Sequence, residues 1–271
     1  MPEMTDLEQL KQRLRTTWMA GDFGKIAEYG AKGAEDFVSR IGIRPGAKVL
    51  DVACGTGNLA IPAARLGARV TGIDIASNLL DQARQRAAAE KLDAAFEEGD
   101  AEQLPYEEGA FDVVMTMFGA MFAPRPDLVA SELLRVCRSG GTIAMANWTR
   151  EGFVGKMFAI TSRHVPPPPG IAAPVLWGDE TIVRERLGKG SSQIKLLRQN
   201  IEFDYPFSPG EVVKFFREYF GPTKTAFARL DLQGQAALAA DLESVWREHN
   251  QVDGNRTLVP AEYLEVLATR A

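Results

Sequence analysis

A glycine-rich turn directly after an apolar run is the first place where residue types and spacing could do chemistry. Residues 50–58 read LDVACGTGN, and residues 55–60 (GTGNLA) match the loose G-x-G-x-x-G/A pattern of a dinucleotide-binding turn. Glycines at positions 55 and 57 let the backbone approach a ligand closely. A carboxylate, Asp51, stands just before the turn. The stretch therefore predicts a ligand site and raises the question of which charge the ligand carries.

Three aspartates, Asp51, Asp74 and Asp100, follow three consecutive predicted strands. Ligands of open α/β sheets bind outside the carboxyl ends of the strands. A single aspartate at a strand end is often only a turn former or a helix cap, but three in succession favour a ligand site. Asp74 lies 17 residues after Gly57 (74 − 57), near the spacing of a carboxylate that binds ribose hydroxyls.

The charge of Asp51 separates two kinds of ligand. A pyrophosphate beside this carboxylate would be repelled by a few kcal/mol at an effective dielectric constant of about 20. A ligand that carries an ammonium and a sulfonium would be attracted by a similar amount. Asp51 therefore favours S-adenosylmethionine over a dinucleotide.

The elements that must position these residues alternate regularly through the first half of the chain. Strands are predicted at 48–51, 69–74, 94–98, 111–117 and 141–148, with helices at 58–66, 78–91 (capped by Ser77) and 127–137. Five strands alternating with helices within about 100 residues predict an α/β fold with a doubly wound parallel sheet.

The flanking regions are less regular. Apolar residues have helical spacing over 5–20 and 23–41, whereas 149–192 shows no strand pattern. Alternation returns as a long strand at 194–207; helices follow at about 209–220 and 233–249, and a last strand is predicted over 263–269. We expect the two terminal strands to complete the same sheet, with 149–192 inserted over its carboxyl edge as a cap.

Composition excludes few functions but disfavours several. The chain has 271 residues and a net charge of −5, without a block of like charges, which argues against nucleic-acid binding. Two cysteines and two histidines make a His/Cys metal site improbable, so no metal is expected. The chain has neither an 18-residue apolar run nor an apolar signal core at its start. These features predict a cytoplasmic protein without a membrane span, and they leave the oligomeric state open.

Five segments together resemble the class I S-adenosylmethionine-dependent methyltransferases. They read VLDVACGTGNLA, VTGIDIASNLLDQAR, GDAEQLPY, FDVVMTMFGAMFA and ELLRVCRSGGTIAMANW, in the order and spacing of that family over about residues 46–148. The nearest branch is that of the ubiquinone/menaquinone C-methyltransferases. The resemblance implies one methyltransferase domain over 1–271, with a mostly parallel seven-stranded Rossmann-like sheet whose seventh strand is antiparallel. It also implies an N-terminal helical lid over 1–45, while 193–271 would complete the sheet.

The resemblance further implies roles for individual residues in binding S-adenosylmethionine. Asp51 and the backbone of Ala53, Gly55 and Gly57 would hold the methionine moiety, and Asp74 would accept hydrogen bonds from both ribose hydroxyls.

The adenine and methyl ends of the cofactor have their own implied contacts. Ile75 would pack on the adenine, Asp100 would accept from its amino group, and the N–H of Ala101 would donate to a ring nitrogen. Met117 and Phe118, at the end of the fourth strand, would lie near the transferred methyl group, although core packing explains either residue equally well.

Methyl transfer from a sulfonium depends chiefly on alignment of the reacting atoms. A general base is needed only for a hydroxyl, an acidic carbon or a protonated amine. His164 is the best candidate for a catalytic base, with an exposed loop histidine as the alternative, and Tyr29, Tyr106 and Tyr205 are weaker candidates. Trp18 belongs to the predicted lid and is expected either to cover the cofactor or to pack in the core.

The predicted cap is rich in apolar and aromatic residues, which predicts a small acceptor that is partly apolar or aromatic. These residues are Trp148, Phe153, Met157, Phe158, Pro166–Pro169 and Trp177. They could equally well only anchor the insertion to the sheet. The acceptor atom, whether O, N, C or S, stays open.

Three other functions share some of these sequence features. A methyltransferase of RNA or protein is an alternative, but the position after the fourth strand reads MFGA, unlike the Pro-Pro-Tyr motif of enzymes that act on base amines. A nicotinamide oxidoreductase conflicts with Asp51 and with the segment 99–101. A non-catalytic regulatory protein that binds S-adenosylmethionine is compatible with every cofactor motif.

Overall fold

Seven strands form a single sheet in the computed structural model, which describes residues 6–168 and 171–271. The strands are β1 (Lys48–Val52), β2 (Arg69–Asp74), β3 (Ala94–Glu98), β4 (Phe111–Met117), β5 (Cys137–Trp148), β6 (Ser191–Tyr205) and β7 (Thr257–Arg270). Their spatial order is β3-β2-β1-β4-β5-β7-β6, and β7 runs antiparallel to both of its neighbours. The fold is therefore α/β with a mostly parallel sheet, as the sequence predicts.

Helices cover both faces of this sheet, and the central strands β1 and β4 are therefore buried on both sides. The helices are α1 (Asp6–Met19), α2 (Phe23–Glu28), α3 (Ala31–Ile41), α4 (Ala60–Arg65), α5 (Ser77–Glu90), α6 (Pro126–Val136), α7 (Phe153–His164), α8 (Glu180–Leu187), α9 (Pro209–Tyr219), α10 (Gly221–Ala228) and α11 (Leu232–His249). Short 3-10 turns lie at Ala120–Phe122, Pro174–Gly178 and Gly188–Gly190. None of the helices in the described part of the chain is long and apolar enough to cross a bilayer.

The register of the central strands brings the predicted site residues to one edge. Asp51 on β1 aligns with Gly72 on β2 and with Met115 on β4. Because these strands are parallel, the residues that follow them emerge at the same carboxyl edge of the sheet.

Strands β5 and β7 begin earlier than predicted, α7, α8 and α10 were not predicted, and two further differences concern helix starts. Ser77 is the first residue of α5 rather than its cap; the capping position is Ala76, whose N–H donates to the Asp74 carboxylate at 2.8 Å. The helical pattern over 23–41 is divided into α2 and α3 at Gly30. The start of α5 is therefore organised by the side chain of Asp74, at the end of β2.

Six helices gather over the carboxyl edge and form a cap: α1, α2, α7, α9, α10 and α11. They come from three separate parts of the chain, since α7 contacts α11, α9 contacts α2, and α10 contacts α1. Within the segment 149–192, α7 joins this group, whereas α8 packs against α6 and β6. The long connection between β6 and β7 therefore supplies half of the cap helices.

Candidate active site

A cavity of about 750 Å³ lies between the carboxyl edge of the sheet and the cap helices. Its volume is within the range of small-molecule sites, roughly 300–1,000 Å³. The structure brings together at this cavity all but one of the predicted cofactor residues. Those in its lining are Trp18, Asp51, Ala53, Gly55, Asp74, Ile75, Asp100, Ala101, Met117 and Phe118.

The glycine-rich turn after β1 has a backbone that few residues other than glycine adopt. Gly55 and Gly57 have φ angles of 52° and 80°, and Ala53 has a φ of 56°. The N–H of Gly57 donates to the carbonyl of Cys54 at 2.9 Å, so Gly57 closes the turn and is not in the cavity lining. A non-glycine residue in the left-handed region, such as Ala53, persists only where the surroundings stabilise it.

Asp51 is a buried carboxylate at the centre of the site, with 1% of its surface exposed. One oxygen accepts a hydrogen bond from the N–H of Ala60 at 3.0 Å, at the start of α4. Burial raises the pKa of Asp51 well above its usual range, and the neighbouring charge of Asp74 raises it further. No cationic side chain among the described residues lowers this pKa. The site therefore fits a ligand that brings its own positive charge.

Asp74 ends β2 beside the turn and organises it through both carboxylate oxygens. Oδ2 accepts from the N–H of Gly55 and Oδ1 from the N–H of Ala76, each at 2.8 Å. Burial raises the pKa of Asp74 as well, although these backbone hydrogen bonds oppose the shift. A carboxylate can accept about four hydrogen bonds, so Asp74 retains capacity to accept from a ligand hydroxyl.

Asp100 lies after β3, where helix α1 covers it. Its Oδ1 accepts from the N–H of Glu102 at 2.8 Å, and Lys11 of α1 forms ion pairs with both Asp100 and Glu102. Arg15, one turn later, pairs with Glu98 at 2.8 Å. Since α1 buries none of its residues, these charges help to hold it over this end of the cavity. Lys11 and Arg15 were not predicted as site residues. Their four-residue spacing is visible in the sequence, but the sequence does not show which acidic residues pair with them.

Phe118, directly after β4, has an unusual backbone and a close aromatic partner. Its φ is 57°, and its ring stacks on that of Trp148 with 3.5 Å between centroids and 7° between planes. The ring of Tyr263 is nearly perpendicular to that of Phe118, with 5.5 Å between centroids. Arg40 donates to the Tyr263 hydroxyl at 2.7 Å. The tertiary structure thus fixes a flat aromatic surface where β4 and β5 end.

Gly119 allows the turns after β1 and β4 to touch, and we expect Gly119→Ala to destabilise both. A Cβ atom at this position would lie 2.5 Å from the carbonyl oxygen of Ala53, and a backbone oxygen cannot rotate away as a side chain can. The expected cost in unfolding free energy is about 1–3 kcal/mol. In the control Gly188→Ala, the new Cβ meets nothing within 4 Å, and the φ of −59° suits alanine. Calorimetry that gave the two variants the same melting temperature would contradict this prediction.

The part of the cavity beyond Phe118 is apolar and aromatic. Trp18 contacts Phe122, Phe220 and Phe23 with ring centroids 5.0, 5.8 and 6.0 Å apart. The remaining wall is formed by Trp148, by Val154, Met157 and Phe158 of α7, by Ile201 and Phe203 of β6, and by Phe216 of α9. We call this part the acceptor half of the cavity.

Several acceptor-half residues were absent from the sequence analysis. Trp148, Met157 and Phe158 were predicted as cap residues, whereas Phe203 and Phe216 were not predicted. Alternation along 194–205 and the four-residue spacing of Phe216 and Phe220 were visible signals, but neither says which face meets a cavity. Phe153 and Trp177 are buried outside the lining, and the predicted cap residue Pro169 lies outside the described residues.

His164 is not brought to the cofactor residues. It ends α7, and its Nε2 lies 2.8 Å from Oδ2 of Asp241 on α11, so it links two cap helices. Neither His164 nor Tyr29, Tyr106 and Tyr205 belongs to the described cavity lining. The prediction of a catalytic base at His164 gains no support from this geometry.

Comparison with known proteins agrees with the fold. A family model described as a methyltransferase domain matches residues 49–141. A protein of Mycobacterium tuberculosis (strain H37Rv), named as uncharacterized, is 40% identical over 239 residues, which are 87% of each chain. The demethylmenaquinone methyltransferase of Deinococcus radiodurans is 39% identical over 125 residues, 44% of this chain and 52% of that protein.

A solved structure shares the fold. Phosphoethanolamine N-methyltransferase 2 of Haemonchus contortus, in complex with S-adenosyl-L-methionine, superposes with a TM-score of 0.57 at 19% identity. The match covers 89% of this chain and 53% of that one. The fold and the acid-lined glycine turn define a class I S-adenosylmethionine-dependent methyltransferase. This chain belongs to that family and is an enzyme whose cofactor is S-adenosylmethionine.

Proposed function

We propose that the enzyme transfers the methyl group of S-adenosylmethionine to a small acceptor that is largely apolar and at least partly aromatic. The observation that carries this proposal is the acceptor half itself, where Trp148, Phe158, Phe203 and Phe216 face one space. Aromatic walls favour flat apolar ligands through burial of apolar area and stacking.

The cofactor half of the cavity supports a definite orientation of S-adenosylmethionine. Asp51 would attract the ammonium of its methionine moiety, Asp74 would accept from the ribose hydroxyls, and Asp100 would accept from the adenine amino group, as the family resemblance implies. The cofactor supplies an electrophilic methyl on a sulfonium, which is a good leaving group. The methyl would then point towards Phe118 and the acceptor half.

The protein's contribution to the transfer is alignment and exclusion of water. Phe118 and Trp148 form a flat aromatic surface on which a planar acceptor can stack in line with the methyl group. Trp18 of α1, Phe158 of α7 and Phe220, which joins α9 to α10, close the space. Holding two reactants in line supplies several kcal/mol of the barrier reduction, about 7–11 in well-oriented cases.

The proposed function predicts which acceptors take a radioactive methyl from the cofactor. Small aromatic and other apolar molecules should be labelled, whereas polar amines, sugars, RNA and protein should not. The Asp74→Ala variant serves as the control for label that does not depend on the cofactor site. Label found only in polar or macromolecular acceptors would contradict the proposal.

A further inference from the structure

Polar side chains are unevenly distributed around the cavity. Every charged side chain of the described lining belongs to α1 or lies at the carboxyl end of β1, β2 or β3: Glu8, Lys11 and Arg15 on one side, and Asp51, Asp74, Glu98 and Asp100 on the other. Strands β4, β5 and β6 and helices α7 and α9 contribute uncharged and largely apolar side chains; the indole N–H of Trp148 is a hydrogen-bond donor and not a base. Since β1–β3 and β4–β6 occupy opposite parts of the sheet, the order of the strands separates a charged half from an apolar half.

Three polar side chains near the acceptor half are engaged elsewhere, whereas the buried Tyr205 hydroxyl has no hydrogen-bond partner among the described residues. The Tyr263 hydroxyl accepts from Arg40 at 2.7 Å, Thr149 donates to Glu262 at 2.8 Å, and His164 pairs with Asp241. None of these three residues is in the described lining. The Tyr205 hydroxyl is buried under Phe203 and Phe216, and burial raises its pKa, so it cannot serve as a base near neutral pH. Within the described chain, no side-chain base reaches the acceptor half.

This arrangement selects among nucleophiles by their chemistry. An alcohol or phenol needs a base, since a hydroxyl like that of tyrosine has a pKa of about 10. A hydroxyl or amine also loses its hydrogen bonds to water when it enters the acceptor half, because the described side chains there offer no nitrogen or oxygen hydrogen-bond acceptor. A thiol is only a weak hydrogen-bond donor, ionises near pH 8.5 without help, and makes favourable contacts with aromatic rings.

Charge adds to this preference. When a thiolate attacks a sulfonium, an anion and a cation combine into two neutral products. Such neutralisation is favoured in an apolar environment, where opposite charges attract strongly. A neutral amine would instead leave a new cation in the apolar half.

Building on the proposed function, we propose that the acceptor is an apolar thiol and that the product is a methyl thioether. The thiol loses its proton to solvent before or during binding. A lone pair of the thiolate sulfur then forms the new S–CH₃ bond, while the bond between the methyl carbon and the sulfonium sulfur breaks and its electron pair stays on that sulfur. The products are the thioether and S-adenosylhomocysteine.

The test is a matched series that differs only in the reacting atom: 4-butylbenzenethiol, 4-butylphenol and 4-butylaniline. With saturating S-adenosylmethionine, the thiol should be methylated with a kcat/KM about 100-fold higher than either analogue, after subtraction of the rate without enzyme. Mass spectrometry of the product identifies the thioether. Glutathione, a polar thiol, should be a poor acceptor because the acceptor half offers its charges no partners.

A pH profile supplies a second measurement. Without a protein base, kcat/KM for the thiol should rise about tenfold per pH unit below the thiol's own pKa and then level off. The inflection should move with the pKa of the thiol when ring substituents are changed. An inflection that stays fixed across different thiols would reveal a base on the protein and overturn the inference.

The variant Val154→Thr tests the apolar wall directly, since it adds a hydroxyl with little change in shape. It should raise KM for the thiol at least threefold and leave the calorimetric affinity for S-adenosylmethionine within twofold. Faster methylation of the phenol or aniline than of the thiol would overturn the inference and leave the proposed function standing. Absence of product from all three, with cofactor binding intact, would overturn both.

Discussion

The Asp51→Asn variant is expected to unfold at a higher temperature than the parent chain and to bind S-adenosylmethionine about 10- to 100-fold more weakly. Asp51 is buried and lacks a cationic partner in the described chain, so its ionised form is costly in the free protein. An asparagine oxygen can still accept from the N–H of Ala60 and keep the start of α4 in place. The same neutral side chain can no longer attract an ammonium group.

The pH dependence of stability has a definite sign. The pKa of Asp51 is raised by folding, mainly through burial, so the folded state holds this proton more tightly than the unfolded state. Its contribution to stability therefore grows as the pH falls through the folded pKa and is lost as the pH rises. We expect the gain in melting temperature of Asp51→Asn over the ligand-free parent to shrink as the pH falls and Asp51 becomes protonated in the folded state. Calorimetry of both proteins at several pH values measures this difference.

Asp112→Asn is the matched control for Asp51→Asn. Asp112 accepts from Arg138 at 2.7 Å and from the N–H of Lys48 at 2.8 Å, and the Arg138 guanidinium lowers its pKa. Its ionised form therefore stabilises the fold, so the amide should lower the melting temperature slightly and leave cofactor affinity unchanged. An Asp51→Asn variant that is less stable than the parent, with unchanged cofactor affinity, would contradict our interpretation of the site.

The second large effect is expected for Asp74→Ala, which should weaken S-adenosylmethionine binding at least 100-fold. This carboxylate holds the N–H groups of Gly55 and Ala76, and the proposed orientation adds two ribose hydroxyls. Each hydrogen bond to a charged group contributes about 1.5–3 kcal/mol, and every 1.4 kcal/mol is tenfold in affinity. Isothermal titration of the cofactor into parent and variant measures the difference.

Two further variants separate a local from a general effect of the lost charge. Asp74→Asn retains one oxygen acceptor and should fall between the parent and Asp74→Ala. Asp81→Ala removes the same charge from the exposed side of α5, where Asp81 pairs with Arg84, and should leave binding unchanged. Binding by Asp74→Ala within threefold of the parent would exclude Asp74 as a cofactor ligand.

The position of the acidic residues at one edge of the sheet was predictable because local rules determine it. An apolar run of four or five residues predicts a strand, and Gly55 predicts the tight turn that follows it. Parallel strands place the residues at their carboxyl ends along one edge, so the sequence predicts that Asp51, Asp74 and Asp100 lie close together. The structure places all three in one cavity.

The acceptor half could not be predicted in the same way. Trp18, Phe158, Phe203 and Phe220 come from four distant parts of the chain, and an aromatic residue with helical or strand spacing looks the same whether it faces a core or a cavity. The contact of Gly119 with Ala53 and the pairing of His164 with Asp241 likewise depend on how the elements pack.

The sequence by itself determined the strand–turn–helix units, the acidic residues at their ends and, through the resemblance of its motifs to the methyltransferase family, the cofactor. The first two follow from backbone preferences and charges that act over a few residues or along a regular parallel sheet. Only the tertiary structure decided that the cap comes from three segments and that no described side-chain base faces the acceptor half. The physical reason is that burial and side-chain direction depend on packing between elements distant in sequence.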